Sequence, residues 1–132
     1  MSGVPHILLL EDEVLILMDL EMAAEELGCR VSSAVSVDEA LALLDEHSTD
    51  IDVAVLDVTL GAASTCFPVA RQLDRLDIPY LLHSGDLNRH NERIRQLDAA
   101  LIAKPAPSSD VMGAALAMLS ASHADSLRLA AE

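Results

Sequence analysis

Three consecutive carboxylates, Glu11, Asp12 and Glu13, sit between two apolar runs in LLLEDEVLIL. Further along stand Asp57 in VAVLDV, Ser84 at the end of PYLLHS and Lys104 directly after AALIA. Clustered carboxylates repel one another unless a cation or a proton offsets them. Oxygen ligands without a His/Cys set favour a hard, magnesium-like ion. Such an ion can neutralise the oxygens of an incoming phosphoryl group, while a lysine adds positive charge and a hydroxyl adds a donor. In that set Asp57 is the nucleophile, because an aspartyl phosphate is an accessible covalent species. All of this requires the fold to bring the residues together.

The elements that must do so are readable from hydrophobic pattern. HILLL, residues 6 to 10, is continuously apolar and bounded by charge, as expected of a strand covered on both faces. A helix follows from about Val14 to Leu27, where Gly28 can end it. RVSSA is a short strand, after which Ser36 and Glu39 have capping-box spacing and Val37, Ala40, Leu41 and Leu44 recur at helix period. VAVLDV, residues 53 to 58, is another buried-strand pattern. Gly61 and the small residues after it supply a turn, and Cys66, Val69, Ala70 and Leu73 mark one face of the next helix. PYLLHS is a fourth strand, and Leu87, Ile94 and Leu97 suggest a short polar helix. AALIA, residues 99 to 103, is a fifth strand, and a last helix fits from about Pro107 to Ala121, with Pro in its first turn. Strands alternating with helices predict a parallel sheet covered on both faces, joined by right-handed crossovers.

That arrangement puts Glu11, Asp12, Asp57, Ser84 and Lys104 at one edge of the sheet. Open α/β sheets bind ligands beyond the carboxyl ends of their strands, where the strand order reverses. If the first and third strands are neighbours, their carboxylates converge there.

Composition narrows the alternatives. The chain has 132 residues, which fits one domain, and 22 acidic against 8 basic residues give a formal charge of -14. Such a charge repels nucleic-acid phosphate and anionic lipid, so direct nucleic-acid binding is not expected. Residues 1 to 60 carry fourteen carboxylates against Arg30 alone, so the excess lies in the half that holds the acidic turn. Cys29 and Cys66 form no CxxC pair or ligand run, which gives no support to a structural zinc site or a disulfide framework. The absence of a positively charged leader and of a long apolar run leaves membrane insertion unsupported and makes a cytoplasmic protein the expectation. The boundaries expected are a domain over residues 1 to 121 and a helical extension or tail over 122 to 132.

Taken together, Glu11-Asp12, Asp57 in VAVLDVTLG, Ser84-Gly85 in YLLHSG and Lys104-Pro105 resemble the active-site set of receiver domains of two-component response regulators. The resemblance spans about residues 5 to 120. It implies a flavodoxin-like fold, a five-stranded parallel sheet in order 2-1-3-4-5 with helices on both faces. It also implies transfer of a phosphoryl group from a histidine kinase or histidine phosphotransfer protein onto Asp57. By the same resemblance Mg2+ is held by Glu11, Asp12, Asp57 and the backbone carbonyl of Thr59, with Ser84 as the switch hydroxyl and Lys104 as the phosphate-contacting lysine. Two positions depart from the family pattern. Glu11 stands where Asp is more usual, and Leu101 stands where an aromatic switch residue normally lies.

The reading that follows is a single-domain relay or phosphate sink acting through downstream protein contacts, with homodimerisation left open. It is a phosphoacceptor, with self-dephosphorylation open, rather than a conventional turnover enzyme. Two other classes compete: a receiver-like interaction module that is never phosphorylated, and a phosphohydrolase using Asp57. The second lacks the leaving-group acid two residues after the nucleophile, where this chain has Thr59. A dinucleotide domain is weaker, because EDEV follows the first strand and no GxGxxG occurs. Arg89, Arg93 and Arg95 form the one dense basic patch, suited either to solvent or to an acidic partner. Glu13 is read as a helix-start residue, and Met18, Met22, Met112 and Met118 as core.

Overall fold

A computed structural model of the chain describes residues 3–60, 64–85 and 99–131, with residues 120–131 described by backbone alone. The apolar run His6–Leu10 forms β1, buried throughout. Its odd and even side chains enter two different cores. Ile7 and Leu9 pack on one face of the sheet, whereas Leu8 and Leu10 pack on the other. Val14–Glu26 forms α1, Arg30–Ala34 β2, Val37–Glu46 α2 and Val53–Leu56 β3. Next come a small hairpin of β4 (Thr59–Leu60) and β5 (Ser64–Thr65), then α3 (Phe67–Arg75) and β6 (Tyr80–Ser84). β7 (Ala100–Ala103) and the closing helix α4 (Ser108–Ala131) complete the described elements.

β2, β1, β3, β6 and β7 form one five-stranded sheet in that order, with every pairing parallel. With the hairpin strands set aside, this is the 2-1-3-4-5 order implied by the resemblance. Because β1 is followed by β2 on one side and paired with β3 on the other, the order reverses between β1 and β3. α2 and α3 cover one face through Ala40, Leu44, Val69, Ala70 and Leu73. α1 and α4 cover the other through Leu17, Leu20, Ala24, Val111, Met112 and Ala115. The central strands β1, β3 and β6 are thus buried on both sides, the pattern that parallel sheets require, while the edge strands β2 and β7 stay partly open.

Local signals explain the helix ends. Gly28 has φ +79°, and the N–H groups of Gly28 and Cys29 donate to the carbonyls of Glu25 and Ala24 at 2.9 and 3.0 Å. This closes α1 in a Schellman turn, whose left-handed position suits a residue without a Cβ. Ser36 Oγ accepts from the Glu39 N–H at 3.2 Å, and Glu39 Oε1 accepts from the Val35 N–H at 2.9 Å. The expected capping box therefore forms with its return bond one residue earlier. Met112 is buried, but Met18 and Met22 lie on the exposed side of α1 and do not join the core. Leu17, Leu20 and Ala24 fill the inward positions instead.

The turn expected at Gly61, the short helix expected around Leu87, Ile94 and Leu97, and Arg89, Arg93 and Arg95 all lie outside the described residues. Among the described residues, no helix is long and apolar enough to cross a membrane.

Candidate functional site

The sheet positions the site by carrying its ladder one residue past each strand. The Glu11 N–H donates to Ala34 O at 3.1 Å, Asp57 N–H to Leu10 O at 2.8 Å and Lys104 N–H to Ser84 O at 3.0 Å. Each of these three residues is thereby tied to a neighbouring strand directly beyond its own. Asp57 follows β3 and Glu11 follows β1, so the two acids flank the point where strand order reverses. Alternation along β3 sends Leu56 into the core shared with α2 and α3, which turns Asp57 to the other side.

One carboxylate oxygen from each of Glu11, Asp12 and Asp57 falls within a cluster in which all three lie within 4.8 Å of one another. Glu11 and Asp57 are buried, whereas Asp12 stays partly open to solvent. Lys104 Nζ lies 2.8 Å from Glu11 Oε1, 3.4 Å from Asp57 Oδ2 and 4.0 Å from Glu13 Oε1. Asp12, Glu13, Asp57, Thr59, Ser84, Gly85 and Lys104 line a cleft of about 390 Å3. The residues singled out from sequence therefore converge: Glu11, Asp12, Asp57 and Lys104 by direct distance, and Thr59 and Ser84 by lining the same cleft.

Glu13 is closer to this chemistry than its helix-start reading suggested. It is the N-cap residue of α1, its N–H donates to Glu11 Oε2 at 3.1 Å, and its exposed carboxylate lies 4.0 Å from Lys104 Nζ. The three-acid spacing was the signal that could have found it. Leu101 stands on β7 opposite Leu82 and is 37% exposed, so no aromatic ring occupies that place. The Lys104–Pro105 peptide is cis.

Electrostatics make the site unbalanced. Burial first, and then the charge of Glu11, pushes the Asp57 carboxyl well above the usual carboxylate range; Lys104 offsets only part of this. Burial works to lower Lys104, yet its bond to Glu11 and the charges of Asp57, Glu11 and Glu13 outweigh that and hold it raised. Among the described residues, three clustered carboxylates lie beside the Lys104 ammonium, an acidic cluster that a cation would help neutralise. All-oxygen donors, two of them buried, fit a hard divalent ion. Beneath the site, Cys66 is fully buried; burial first, with a further contribution from Asp57, pushes its thiol up to about 12. Burial also lowers His83, with Lys104 adding to the effect, and among the described residues neither of its ring nitrogens has a hydrogen-bond partner.

A parallel sheet wound on both sides, with a carboxylate cluster and a lysine at its switch point, defines the flavodoxin-like receiver class. No family model matches the chain, and no curated protein does. Solved structures do. The chain is similar to SdrG from Sphingomonas melonis Fr1 at 36% identity, covering 90% of this chain and 98% of that one with a TM-score of 0.73. It is similar to a response regulator receiver protein from Sinorhizobium medicae WSM419 at 26% identity, covering 90% and 97%, TM-score 0.79. It also resembles the non-phosphorylated HemR receiver domain from Leptospira biflexa at 28% identity, covering 82% and 88%, TM-score 0.70. The chain belongs to the response-regulator receiver domains. Its Glu11/Asp12/Asp57 cluster is consistent with the phosphoacceptor and divalent-metal site of such domains.

Proposed function

We propose that Asp57 accepts a phosphoryl group from the phosphohistidine of a histidine kinase or phosphotransfer protein, in the cytoplasm, and that the signal is then relayed or drained through protein contacts. In this reading residues 1–121 make up the receiver and 122–132 extend its last helix. The observation that carries it is the convergence of Glu11, Asp12 and Asp57 within 4.8 Å beside Lys104.

Glu11, Asp12, Asp57 and the Thr59 carbonyl would hold the metal, with Mg2+ the ion that suits such hard oxygen donors. When bound, the ion supplies positive charge that keeps Asp57 ionised and neutralises phosphoryl oxygens. An Asp57 oxygen attacks phosphorus, the P–N bond breaks, and its electron pair returns to the imidazole nitrogen of the donor. Lys104 stabilises charge on the transferring group, and Ser84 offers its hydroxyl to the product. Asp57 then carries extra negative charge and acceptor oxygens, which biases the segments after β6 and β7.

Incubation with a phosphodonor is expected to give Mg2+-dependent labelling that is stable in acid and labile in base. Asp57→Asn abolishes the label if the assignment is right; an unchanged label overturns it.

A further inference from the structure

β2 ends the sheet, and its outer edge is open over a short window. In a parallel pair, every second residue turns both main-chain groups toward the partner strand. The Arg30 N–H donates to Pro5 O at 2.8 Å and the Glu11 N–H donates to Ala34 O at 3.1 Å, so Arg30, Ser32 and Ala34 face β1. Val31 and Ser33 therefore turn their N–H and C=O groups outward, where no strand of the sheet lies beyond β2. The chain itself closes both ends of this window. The Cys29 N–H donates to Ala24 O at 3.0 Å, and the Val35 N–H donates to Glu39 Oε1 at 2.9 Å. Between them, the four outward groups of Val31 and Ser33 have no partner among the described residues, and neither Lys nor Pro stands there to guard the edge.

α1 overhangs the window. The side chains of Val31 and Ser33 point to the α1 side of the sheet, where Val31 packs against the core and Ser33 Oγ donates to Glu21 Oε2 at 2.6 Å. Met18, Glu21 and Glu25 follow one another at three- and four-residue spacing, so they share one line along the helix on the side that meets Ser33. Met22, one turn on from Met18, widens that line toward solvent. The two methionines are 49% and 57% exposed, and flexible thioether side chains suit a surface that adapts to what docks on it. Because α1 runs back between two parallel strands, Met18 lies toward the Ala34 end of β2 and Glu25 toward the Arg30 end.

We infer that the outer edge of β2 docks an extended segment of a partner protein, in which an apolar residue is followed at two-residue steps by basic ones. Running antiparallel to β2, its main chain adds a sixth strand through the four open groups of Val31 and Ser33. The side chains it turns toward α1 meet Met18 and Met22 first, then Glu21, then Glu25. The spans agree: Met18 to Glu25 covers about 10.5 Å of helix, and four strand residues cover about 14 Å. Charge selects this occupant over a second copy of the chain. Residues 1 to 60 carry fourteen carboxylates against Arg30 alone, so two such edges repel each other, whereas a basic segment is attracted. No residue of the Glu11/Asp12/Asp57 cluster takes part, so the docking site stands independently of the phosphoacceptor reading.

The probe is a capped heptapeptide, Thr-Val-Thr-Lys-Thr-Lys-Thr, added to 15N-labelled protein. At ten times its dissociation constant it is expected to shift the Val31 and Ser33 amide resonances and to slow their hydrogen exchange about tenfold. Glu25→Lys weakens the peptide about fivefold, and raising the salt weakens it further. N-methylation of the peptide at the main-chain nitrogens that face β2 removes the protection. The same peptide with Glu in place of Lys does not bind. Four results overturn the docking site: no shift at about 10 mM peptide, binding that leaves Val31 and Ser33 exchange unchanged, equal binding of the Glu peptide, or full binding of the N-methylated one. Protection of Val31 and Ser33 that rises with protein concentration alone also overturns it, because the occupant is then a second copy.

Discussion

The two edges of one sheet handle buried polar groups in opposite ways. At the amino edge, His6 is buried with Nε2 2.7 Å from Ser32 Oγ, its N–H donates to Asp52 Oδ2 at 2.8 Å, and the His47 ring stands edge-on at 5.7 Å. Burial first, and then Arg30 and His47, lower the His6 pKa, while Asp50 and Asp52 raise it less. That edge buries a neutral ring bonded through one nitrogen. At the carboxyl edge Glu11 and Asp57 are buried with Lys104 as their shared counter-ion. Both edges have the same strands and the same covering helices. The difference teaches that the carboxyl edge retains a charge excess that packing would remove, as a site built for a cation and a phosphoryl group requires.

The sharpest way to break this comparison is to substitute at each edge. Asp57→Asn is expected to lower phosphodonor labelling about hundredfold or more. Because it removes a buried like charge, it also raises unfolding free energy by about 1 kcal/mol. His6→Ala does the reverse, labelling as the wild type does while losing about 2 kcal/mol in urea unfolding. A destabilised Asp57→Asn protein would mean that the carboxyl edge carries no strain.

Cation binding tests the same contrast. Mg2+ at a hundred times its dissociation constant is expected to stabilise the wild type by about 2.7 kcal/mol. His6→Ala retains that increment, and Asp57→Asn loses most of it in thermal or urea unfolding.

The pH dependence has opposite signs at the two edges. His6 is lowered from its ordinary 6.5, so its contribution to stability is full above that value and is lost as pH falls toward the folded pKa. Asp57 is raised from 3.8, so its contribution is full below that value and is lost as pH rises through the folded pKa. His83 is lowered as well and adds to the acid-side loss. Unfolding free energy measured against pH is expected to fall on both the acid and the alkaline side. Asp57→Asn flattens the alkaline side, and His6→Ala reduces the acid-side slope.

The smallest effect concerns Cys66, under the acid cluster. Its raised thiol pKa makes alkylation at pH 8 about a hundredfold slower than in urea-unfolded protein. Burial leads the causes of that shift, so Asp57→Asn changes the rate by less than about threefold.

Much of the fold was legible because the central strands are continuous apolar runs and the turns between elements carry their own signals. HILLL and RVSSA mark β1 and β2 to the residue, and Ser36 with Glu39 marks the start of α2. The hairpin of Thr59–Leu60 and Ser64–Thr65 was not legible, since two-residue strands are too short to show a period. α4 runs on to Ala131, the helical extension that was one of the two alternatives for residues 122 to 132, as an Ala- and Leu-rich stretch without a Pro carries no stop signal. Met18 and Met22 were misread as core because α1 is apolar on more faces than the sheet can cover.

Residue types and their order determined that three acids, a hydroxyl and a lysine would stand at the ends of four of the strands, since each ends or follows a short apolar run. Local pattern could carry that much because strand ends are set by neighbouring residues. Tertiary structure alone decided that Lys104 reaches over β6 and β3 to Glu11 at 2.8 Å, nearer than its 3.4 Å approach to Asp57. That preference depends on strand spacing, side-chain length and the burial of both acids, which residues 93 positions apart do not record in local sequence.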